Sequence, residues 1–537
     1  MSKKIRDPIY GYITIEDYYL DIINSINFQR LRNIIQTSYT SVYPSALHNR
    51  FTHSLGVFWL GKLVFKSLRS NSNDVFAEID TETIDNIEKT FVTACLCHDI
   101  GHSPFSHTGE ILYDKKKINH DLIKEVNNDI FSLDLKNGDE IVGKEHEIMS
   151  ALLSIRKFGE NIKPENFSFF SRCIIGLKYS KETASSLNAN EFKIFNACIE
   201  MLNSDIIDVD KLDYLIRDSY MSGYSSVSID YERLLGGVFI CEQNPCIGYE
   251  KSSLSVLETV LTAHDMERRW IQSHPTIQYD GFLLETIMRD ISLKYNTNDK
   301  TLLSYETLTE EGIEFDNIGK IRLLCDADIL SLAKRDFDKI DSVKEYCDRS
   351  KRLHPIWKSE AEFSTLFQKR FGDKFYQLIE NWEKSLRQGE YSTYCLNDVF
   401  LEKLQAEKSR LLEITKAEKT ESIKNTYLKK IDKLSEEIQV LSDIKNYFDV
   451  HNIPFQLVVI TNKYFKSNIQ KDSFKNLPIR FRSIGGKIDL MKNVTKIPLD
   501  IENDKNNRFF YLYYNVSTTN KLDVEDFSKA LLKAAVI

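Results

Sequence analysis

The chain has little proline and little glycine, and it has no apolar run long enough to cross a membrane. Only 10 of its 537 residues are proline and 20 are glycine, which excludes a collagen-like or low-complexity chain. Every apolar stretch falls short of the about 18 residues that a transmembrane helix needs. The basic N-terminal residues are not followed by the apolar core of a secretory signal. We therefore expect a globular, cytoplasmic protein that does not enter a membrane.

The chain also lacks the cysteine pattern of a disulfide framework. Its nine cysteines are odd in number, scattered, and mostly set within apolar runs, which is typical of reduced core residues. Cys95 and Cys97 precede His98, but their apolar helical surroundings argue against a zinc site built on these cysteines.

Positive charge is in deficit as well. The net charge of -8 at pH 7 excludes a protein that coats nucleic acid by bulk electrostatics. A local basic pocket for phosphates is still compatible with this balance, and a nucleic acid partner stays an open question.

The length and the apolar periodicity predict several folding units. A chain of 537 residues exceeds the size at which one core usually keeps growing. Apolar spacing is helical from residue 16 to about 300, and it is near-heptad and rich in Glu and Lys over 400–448. It is strand-like in three later runs, at 455–460, 479–484 and 509–516. We predict a mainly α fold with a helical hairpin or short coiled coil and a small C-terminal α/β lobe. The predicted domains are a catalytic domain, a helical extension and that lobe, at residues 1–320, 321–450 and 451–537.

Histidines are concentrated in one part of the chain. Seven of the eleven lie between residues 48 and 146, and the densest segment, 98–107, directly follows an apolar helical segment. Adjacent residues such as His98 and Asp99 cannot share one face of a regular helix, but a helix end can aim both at one point. Imidazole nitrogen and carboxylate oxygen together favour Mn, Fe, Ni or Zn and suit Mg less well.

Two further residues complete a candidate metal site. His53 lies at the start of an amphipathic helical segment earlier in the chain. Asp210 lies in a segment whose polar residues recur at i, i+4, i+7 and i+8, namely Asp210, Tyr214, Arg217 and Asp218. This spacing places them on one face of a helix. One helix can thereby present a metal ligand and substrate contacts together.

Five short sequence blocks occur in the same order as in a known family. His53, then His98 and Asp99, then Asp210 match the H…HD…D signature of the HD superfamily, and the surrounding blocks resemble those of deoxynucleoside triphosphate triphosphohydrolases, including the branch that joins a SAM and an HD domain. The resemblance covers about residues 3 to 280 and implies an HD-domain helical core. The matching blocks are residues 7–11, 28–32, 48–56, 98–107 and 208–218.

The resemblance implies a role for each matched position. It assigns the metal to His53, His98, Asp99 and Asp210, and it assigns proton chemistry to His102, Glu110 and His146, for which orientation of the metal ligands is the alternative role. The phosphates would meet Arg50, Lys211 and His107, and the deoxyribose would meet Tyr214, Gln36 and Asp218. An oligomer (a dimer, tetramer or hexamer) and Mg accompanying the triphosphate are implied as well.

The implied chemistry is physically coherent. A divalent ion with four protein ligands can still bind a water and a phosphate oxygen, while Arg and Lys neutralise the triphosphate. The departing 5'-oxygen needs a proton, because an alkoxide is a poor leaving group. Attack at the α-phosphorus would release a deoxynucleoside and intact triphosphate.

A regulatory nucleotide site is implied by Gln29 and Arg32, but the sequence departs from the family's pattern nearby. Asn24 stands where the SAM-and-HD branch has an Asp that accepts from guanine, and an amide cannot replace both acceptors of a carboxylate. Gln272 stands where the family has a sugar-contacting Tyr, and residues 38–41 replace a Gly-rich turn. The effector and the preferred base therefore stay open.

Two other functions are compatible with the sequence. The chain could be another kind of HD phosphohydrolase, such as a phosphodiesterase or exonuclease, or a nucleotide-responsive scaffold without activity. The leading hypothesis is a nucleotide-regulated dNTP triphosphohydrolase that controls deoxynucleotide supply and could serve defence against phage.

Overall fold

The computed structural model describes most of the chain. The described residues are 2–135, 143–180, 182, 187–224, 228–241, 246–297, 299–367, 370–391, 393–418, 420–462, 471–495, 508–516 and 521–536. The α-helices within them are α1 (Asp17–Asn24), α2 (Ile26–Gln29), α3 (Arg50–Asn71), α4 (Asn73–Phe76), α5 (Thr81–Cys97), α6 (Lys115–Val126), α7 (Asp129–Asp134), α8 (Glu145–Ile162), α9 (Phe167–Ile175), α10 (Ala189–Leu202), α11 (Val209–Ser222), α12 (Tyr231–Gly236), α13 (Leu254–Met266), α14 (Pro275–Tyr295), α15 (Tyr305–Leu308), α16 (Asp326–Arg335), α17 (Asp341–Cys347), α18 (Glu360–Phe367), α19 (Asp373–Gln388), α20 (Asp398–Ala417), α21 (Glu421–Val450), α22 (Lys471–Lys475), α23 (Met491–Val494) and α24 (Val524–Ala534).

The strands are short and form small sheets. They are β1 (Ser2–Asp7), β2 (Gly11–Glu16), β3 (Val238–Ile240), β4 (Ile247–Glu250), β5 (Ile313–Phe315), β6 (Gly319–Ile321), β7 (His354–Pro355), β8 (Leu457–Thr461), β9 (Pro478–Phe481), β10 (Lys487–Leu490) and β11 (Phe510–Tyr514). The predicted mainly α fold with a small α/β part is confirmed. Among the described residues, no helix combines the length and apolar composition of a membrane span.

The chain divides into two compact units. The first contains residues 1–271, 291–332 and 467–501, and the second contains 272–290, 333–466 and 502–537. The division at residues 320 and 450 stays a prediction about the domains of the protein.

In the first unit the helices that carry the candidate site pack around α3. Its faces are almost all buried, and α5 and α11 lie against it. Each of the three helices begins at a polar cap: the side chains of Asn49, Asp80 and Asp208 accept from the backbone N–H groups of Thr52, Thr83 and Lys211. Such caps satisfy N–H groups that lack an intrahelical partner and fix where each helix starts.

The first unit also contains a four-stranded sheet in the order β10-β9-β4-β3, in which β9 runs parallel to β4. The strand-like run of 479–484 is shorter in the structure, since β9 ends at Phe481. Gly485 and Gly486 adopt φ of 74° and 75°, a conformation that glycine tolerates best. They turn the chain back into β10.

In the second unit α20 and α21 form the predicted helical hairpin, and α24 packs on α21. The three-stranded sheet β7-β11-β8 pairs Phe510 with Thr461 and Tyr514 with Leu457. Trp357 and Trp382 are almost fully buried in the hydrophobic core of this unit.

Candidate metal centre

The predicted metal ligands lie at the ends of three helices or directly after one. His53 lies in the first turn of α3, Asp210 in the first turn of α11, and His98 directly after the last residue of α5. A tight turn follows, in which the N–H of His102 donates to the carbonyl of Asp99 at 3.0 Å. Gly101 allows this turn to pack closely against α8, because a Cβ there would lie 2.4 Å from the backbone nitrogen of Ser150.

The four side chains converge on one point. His53 Nε2 lies 2.9 Å from Asp210 Oδ1 and 3.2 Å from His98 Nε2. Asp99 contacts both imidazoles, with Oδ1 at 3.4 Å from His98 Nε2 and Oδ2 at 3.5 Å from His53 Nε2. The two imidazoles and Asp99 are buried, whereas the Asp210 side chain is 37% exposed. The centre is therefore open on the side of α11.

The partners of the other ring nitrogens fit a divalent cation. His98 Nδ1 contacts the carbonyl oxygen of Cys95 at 3.0 Å and His53 Nδ1 contacts Asp213 Oδ2 at 2.7 Å, so each Nδ1 is the nitrogen that donates. When both rings are neutral, the two Nε2 lone pairs face each other at 3.2 Å. An ion between them would satisfy both lone pairs, and His ligands held by such outer partners are typical of metal sites.

Charge at the centre is set by the same contacts. Burial lowers the pKa of His53, but hydrogen bonds to Asp210 and Asp213 outweigh it and raise this pKa to about 10. Burial raises the pKa of Asp99, yet Arg50 and the imidazoles of His98 and His102 hold it well below its usual range. Without a metal, a proton on His53 supplies the positive charge that an ion would otherwise supply.

Asp213 contacts the candidate centre, although the sequence analysis did not single it out. Its carboxylate is fully buried and accepts from the Tyr10 hydroxyl at 2.7 Å and from Arg217 Nε at 2.9 Å, besides holding His53. Arg217 also donates to Asp7 at 3.0 Å, so its guanidinium is paired with two buried carboxylates. The signal available in the sequence was a second Asp, three positions after Asp210 in the same predicted helix.

The residues expected to meet phosphate lie beside the metal ligands but are engaged with protein groups. Arg50 Nη1 donates to Asp99 Oδ2 at 2.6 Å and its Nε donates to Ser106 Oγ at 2.9 Å. Lys211 Nζ donates to Asp208 Oδ2 at 2.5 Å and to the carbonyl of Ser204 at 2.6 Å. Both cations are buried, so the positive charge is already in the site before any ligand enters.

The residues expected to meet the sugar are linked through His48. Asp218 Oδ1 lies 2.7 Å from His48 Nε2, and the Gln36 N–H donates to the His48 carbonyl at 3.0 Å. Gln36 is buried, and its side-chain oxygen has no hydrogen bond among the described residues. Tyr214 is half-buried on α11.

A second group lies next to the first. His102, His107 and His146 each place Nδ1 near Glu110 Oε1, at 3.4, 2.7 and 2.9 Å. The rings of His102 and His146 are stacked, 4.0 Å apart and 12° from parallel. Burial lowers the pKa of His146, but Glu110 outweighs burial and raises it; burial and Arg50 lower that of His102. The structure thus brings together the residues predicted for proton chemistry.

Gln29 and Arg32, predicted for a regulatory nucleotide, contact each other. Arg32 Nε donates to Gln29 Oε1 at 2.7 Å and its guanidinium lies 3.7 Å over the Phe51 ring. Between them in sequence, the buried Arg30 donates to the carbonyls of Leu324, Ile100 and His102. Arg30 therefore ties this block to the HD turn, a role that sequence spacing did not indicate.

The part of the chain that contains most of this site matches a known protein family. Residues 50–194 match the model of the HD domain. This match contains His53, His98 and Asp99 and ends before Asp210. All four residues of the second group lie within it as well.

Known proteins with similar sequences include dNTP triphosphohydrolases. The deoxynucleoside triphosphate triphosphohydrolase SAMHD1 homolog of Dictyostelium discoideum is 33% identical over 243 residues, 44% of this chain and 39% of that protein. The SAMHD1 enzyme of Xenopus laevis is 29% identical over 321 residues, 56% of this chain and 46% of that protein. An uncharacterised protein of Methanocaldococcus jannaschii is 29% identical over 319 residues, 57% of this chain and 56% of that protein. The chain thus spans about half the length of the curated relatives it matches.

One solved structure resembles almost the whole chain. A hypothetical protein from Aquifex aeolicus superposes with a TM-score of 0.52 at 18% identity, covering 96% of this chain and 97% of that protein. At this identity the likeness concerns the fold alone.

Proposed function

We propose that this chain, which is an HD-superfamily protein similar to deoxynucleoside triphosphate triphosphohydrolases, hydrolyses dNTPs to a deoxynucleoside and inorganic triphosphate. The observation that carries the proposal is the pair of Nε2 atoms of His53 and His98, 3.2 Å apart and flanked by Asp99 and Asp210. The similarity to relatives named as dNTP triphosphohydrolases supports the substrate class.

His53, His98, Asp99 and Asp210 would hold the divalent ion, with Mn, Fe, Ni or Zn suited to this donor set. When bound, such an ion activates water and polarises a phosphate oxygen. Asp213 and the carbonyl of Cys95 hold the two imidazoles so that Nε2 faces the ion. Mg would accompany the triphosphate.

Arg50, Lys211 and His107 would bind the phosphates. A triphosphate can draw Arg50 away from Asp99 and Lys211 from Asp208, since phosphate oxygens accept charge-assisted hydrogen bonds of comparable strength. The His107 side chain is 59% exposed, so it can meet a ligand that enters from solvent.

His102, Glu110 and His146 would handle the proton that the departing 5'-oxygen needs. The raised pKa of His146 beside Glu110 keeps a proton in this group near neutral pH, as a general acid requires. Through Asp99, whose Oδ1 lies 3.1 Å from His102 Nε2, the group adjoins the metal ligands.

Tyr214, Gln36 and Asp218 would bind the deoxyribose. The unsatisfied oxygen of Gln36 and the carboxylate of Asp218 can accept from the 3'-hydroxyl, and Tyr214 would pack against the face of the sugar and exclude a 2'-hydroxyl. Gln29 and Arg32 would bind a regulatory nucleotide in a homo-oligomer (dimer, tetramer or hexamer). Control of the dNTP pool in the cytoplasm, including during phage infection, is the biological setting we propose.

The experiment is chromatography of the products formed from each dNTP and NTP with Mn²⁺. We expect deoxynucleoside and triphosphate from dNTPs, and no turnover by the folded His98→Ala, Asp99→Ala double variant. Nucleoside monophosphate or cleaved nucleic acid without triphosphate would instead identify a phosphodiesterase or exonuclease. No turnover of any nucleotide would indicate the scaffold.

A further inference from the structure

The group around Glu110 contains more ring nitrogens than its hydrogen bonds can satisfy. Among the described residues, both ring nitrogens of His102 and the Nδ1 of His146 are buried without a hydrogen bond of acceptable geometry. His102 is fully buried and His146 is 5% exposed. Buried polar atoms are almost always paired, so three such atoms in two stacked rings indicate a ligand.

His102 shows what kind of ligand is required. Its Nε2 lies 3.1 Å from Asp99 Oδ1 and its Nδ1 lies 3.4 Å from Glu110 Oε1. A neutral imidazole has one N–H and one lone pair, so in either tautomer one lone pair faces a carboxylate oxygen. Two acceptors at this distance repel each other unless a proton or a metal ion lies between or beside them, and a metal ion can be shared with the neighbouring ring nitrogens of the group.

We propose that His102, His107, Glu110 and His146 form a second divalent-cation site, separate from the one at His53 and His98, and that an ion bound there inhibits the enzyme. The four ligand atoms lie within 4.8 Å of one another, so small side-chain shifts bring them around one ion at about 2.0–2.2 Å each. Three imidazole nitrogens and one carboxylate oxygen are a donor set that Zn²⁺ prefers.

The surroundings of the site support entry of an ion. The His107 side chain is 59% exposed and provides a path from solvent, while Glu110 and His146 are buried. The other carboxylate near His102, that of Asp99, belongs to the first site and contacts His98 Nε2 at 3.4 Å. The second ion would therefore sit beside the first one, with His102 next to Asp99.

Inhibition follows from the nitrogens that the ion would occupy. A metal-bound imidazole nitrogen has no lone pair left to carry the proton for the 5'-oxygen. This part of the inference rests on the proposed function, whereas the binding of the ion does not.

The test is equilibrium dialysis against Zn²⁺ followed by metal analysis of the folded protein. We expect two ions per chain in the wild type and one in the His107→Ala, His146→Ala double variant, with affinity for the second ion reduced at least about tenfold. Glu110→Gln, which keeps the side-chain volume, should have the same effect if the double variant does not fold. His120→Ala changes a histidine whose side chain is 80% exposed outside the group and should retain two ions.

A single Zn²⁺ per wild-type chain, or two in a folded Glu110→Gln variant, would overturn the site. In parallel, dNTP hydrolysis in Mn²⁺ should fall as the second equivalent of Zn²⁺ binds, and hydrolysis that persists with two ions bound would overturn inhibition. Two ions without hydrolysis under any condition would instead count against the proposed function alone, because ion binding is measured independently of activity.

Discussion

At the scale of single residues, we expect Asp213 to determine how well His53 can act as a ligand. Its carboxylate fixes the His53 tautomer from a fully buried position. We expect Asp213→Asn to weaken metal binding about 10–100-fold, because loss of an outer partner of a metal-bound His has this effect. Competition with a chelator measures the affinity. Asp205→Asn, an exposed change just before the same helix, is the control, and equal affinity in both variants would remove Asp213 from the centre.

Lys211 is expected to act on phosphate and not on the metal. Its ammonium group donates to the Asp208 carboxylate and to the Ser204 carbonyl and not to a predicted metal ligand among the described residues. Lys211→Ala should lower kcat/KM for dNTPs about 10–100-fold, the loss of one charge-assisted hydrogen bond, while metal content is retained. Lys66→Ala, on the exposed side of α3, should match the wild type. Metal loss in folded Lys211→Ala would contradict this role.

At the scale of elements, Asp326 at the start of α16 joins two segments that border the site. Its Oδ2 accepts from the Ile35 N–H at 2.9 Å and its Oδ1 from the Phe105 N–H at 2.7 Å. Phe105 has φ of 57°, a strained conformation for a residue with a side chain. The two hydrogen bonds help to hold the chain in this conformation, close to Ser106 and Arg50.

This contact predicts a dependence of stability on pH. Burial raises the pKa of Asp326 to about 6, above its unfolded value. The native state then holds the proton more tightly, so the stability that this group contributes is present below about pH 4 and is lost as pH rises through about 6. Denaturant unfolding at pH 4, 5, 6 and 7 should show the wild type losing stability relative to Asp326→Asn across this window. A constant difference would show that the carboxyl titrates normally.

At this scale the sequence predicted the elements that local patterns specify. Helical periodicity indicated α3, α5 and α11, and the match to five sequence blocks indicated the ligands His53, His98, Asp99 and Asp210. Periodicity reports only neighbours along one element, so it could not show that Asp213 reaches Tyr10 or that Arg30 reaches Leu324. Such contacts join segments about 200 or more residues apart.

At the scale of the whole molecule, the helical majority and the small α/β part could be predicted from composition and period, and both are confirmed. The parallel pairing of β9 with β4 could not, because strands more than 200 residues apart carry no local signal of being neighbours. The predicted domain boundaries at residues 320 and 450 stay a prediction.

A regulatory site at Gln29 and Arg32 predicts that assembly and activity respond to nucleotide together. An activator must bind the active assembly more tightly than the inactive form, so it must shift both. Because Asn24 lacks a carboxylate, the activator should not be restricted to guanine. Sedimentation and initial rates with each dNTP and GTP, singly and in pairs, measure this. An unchanged oligomer with hyperbolic rates would exclude regulation, and activation by GTP alone would show that Asn24 does not matter.

The central claim is that water attacks the α-phosphorus of a dNTP at the centre formed by His53, His98, Asp99 and Asp210. Hydrolysis in H₂¹⁸O, with mass spectrometry of both products, tests it most directly. The account predicts one ¹⁸O atom in the released triphosphate and none in the deoxynucleoside, with no reaction in the His98→Ala, Asp99→Ala variant. Label in a nucleoside monophosphate or in pyrophosphate, or label in the deoxynucleoside, would contradict it.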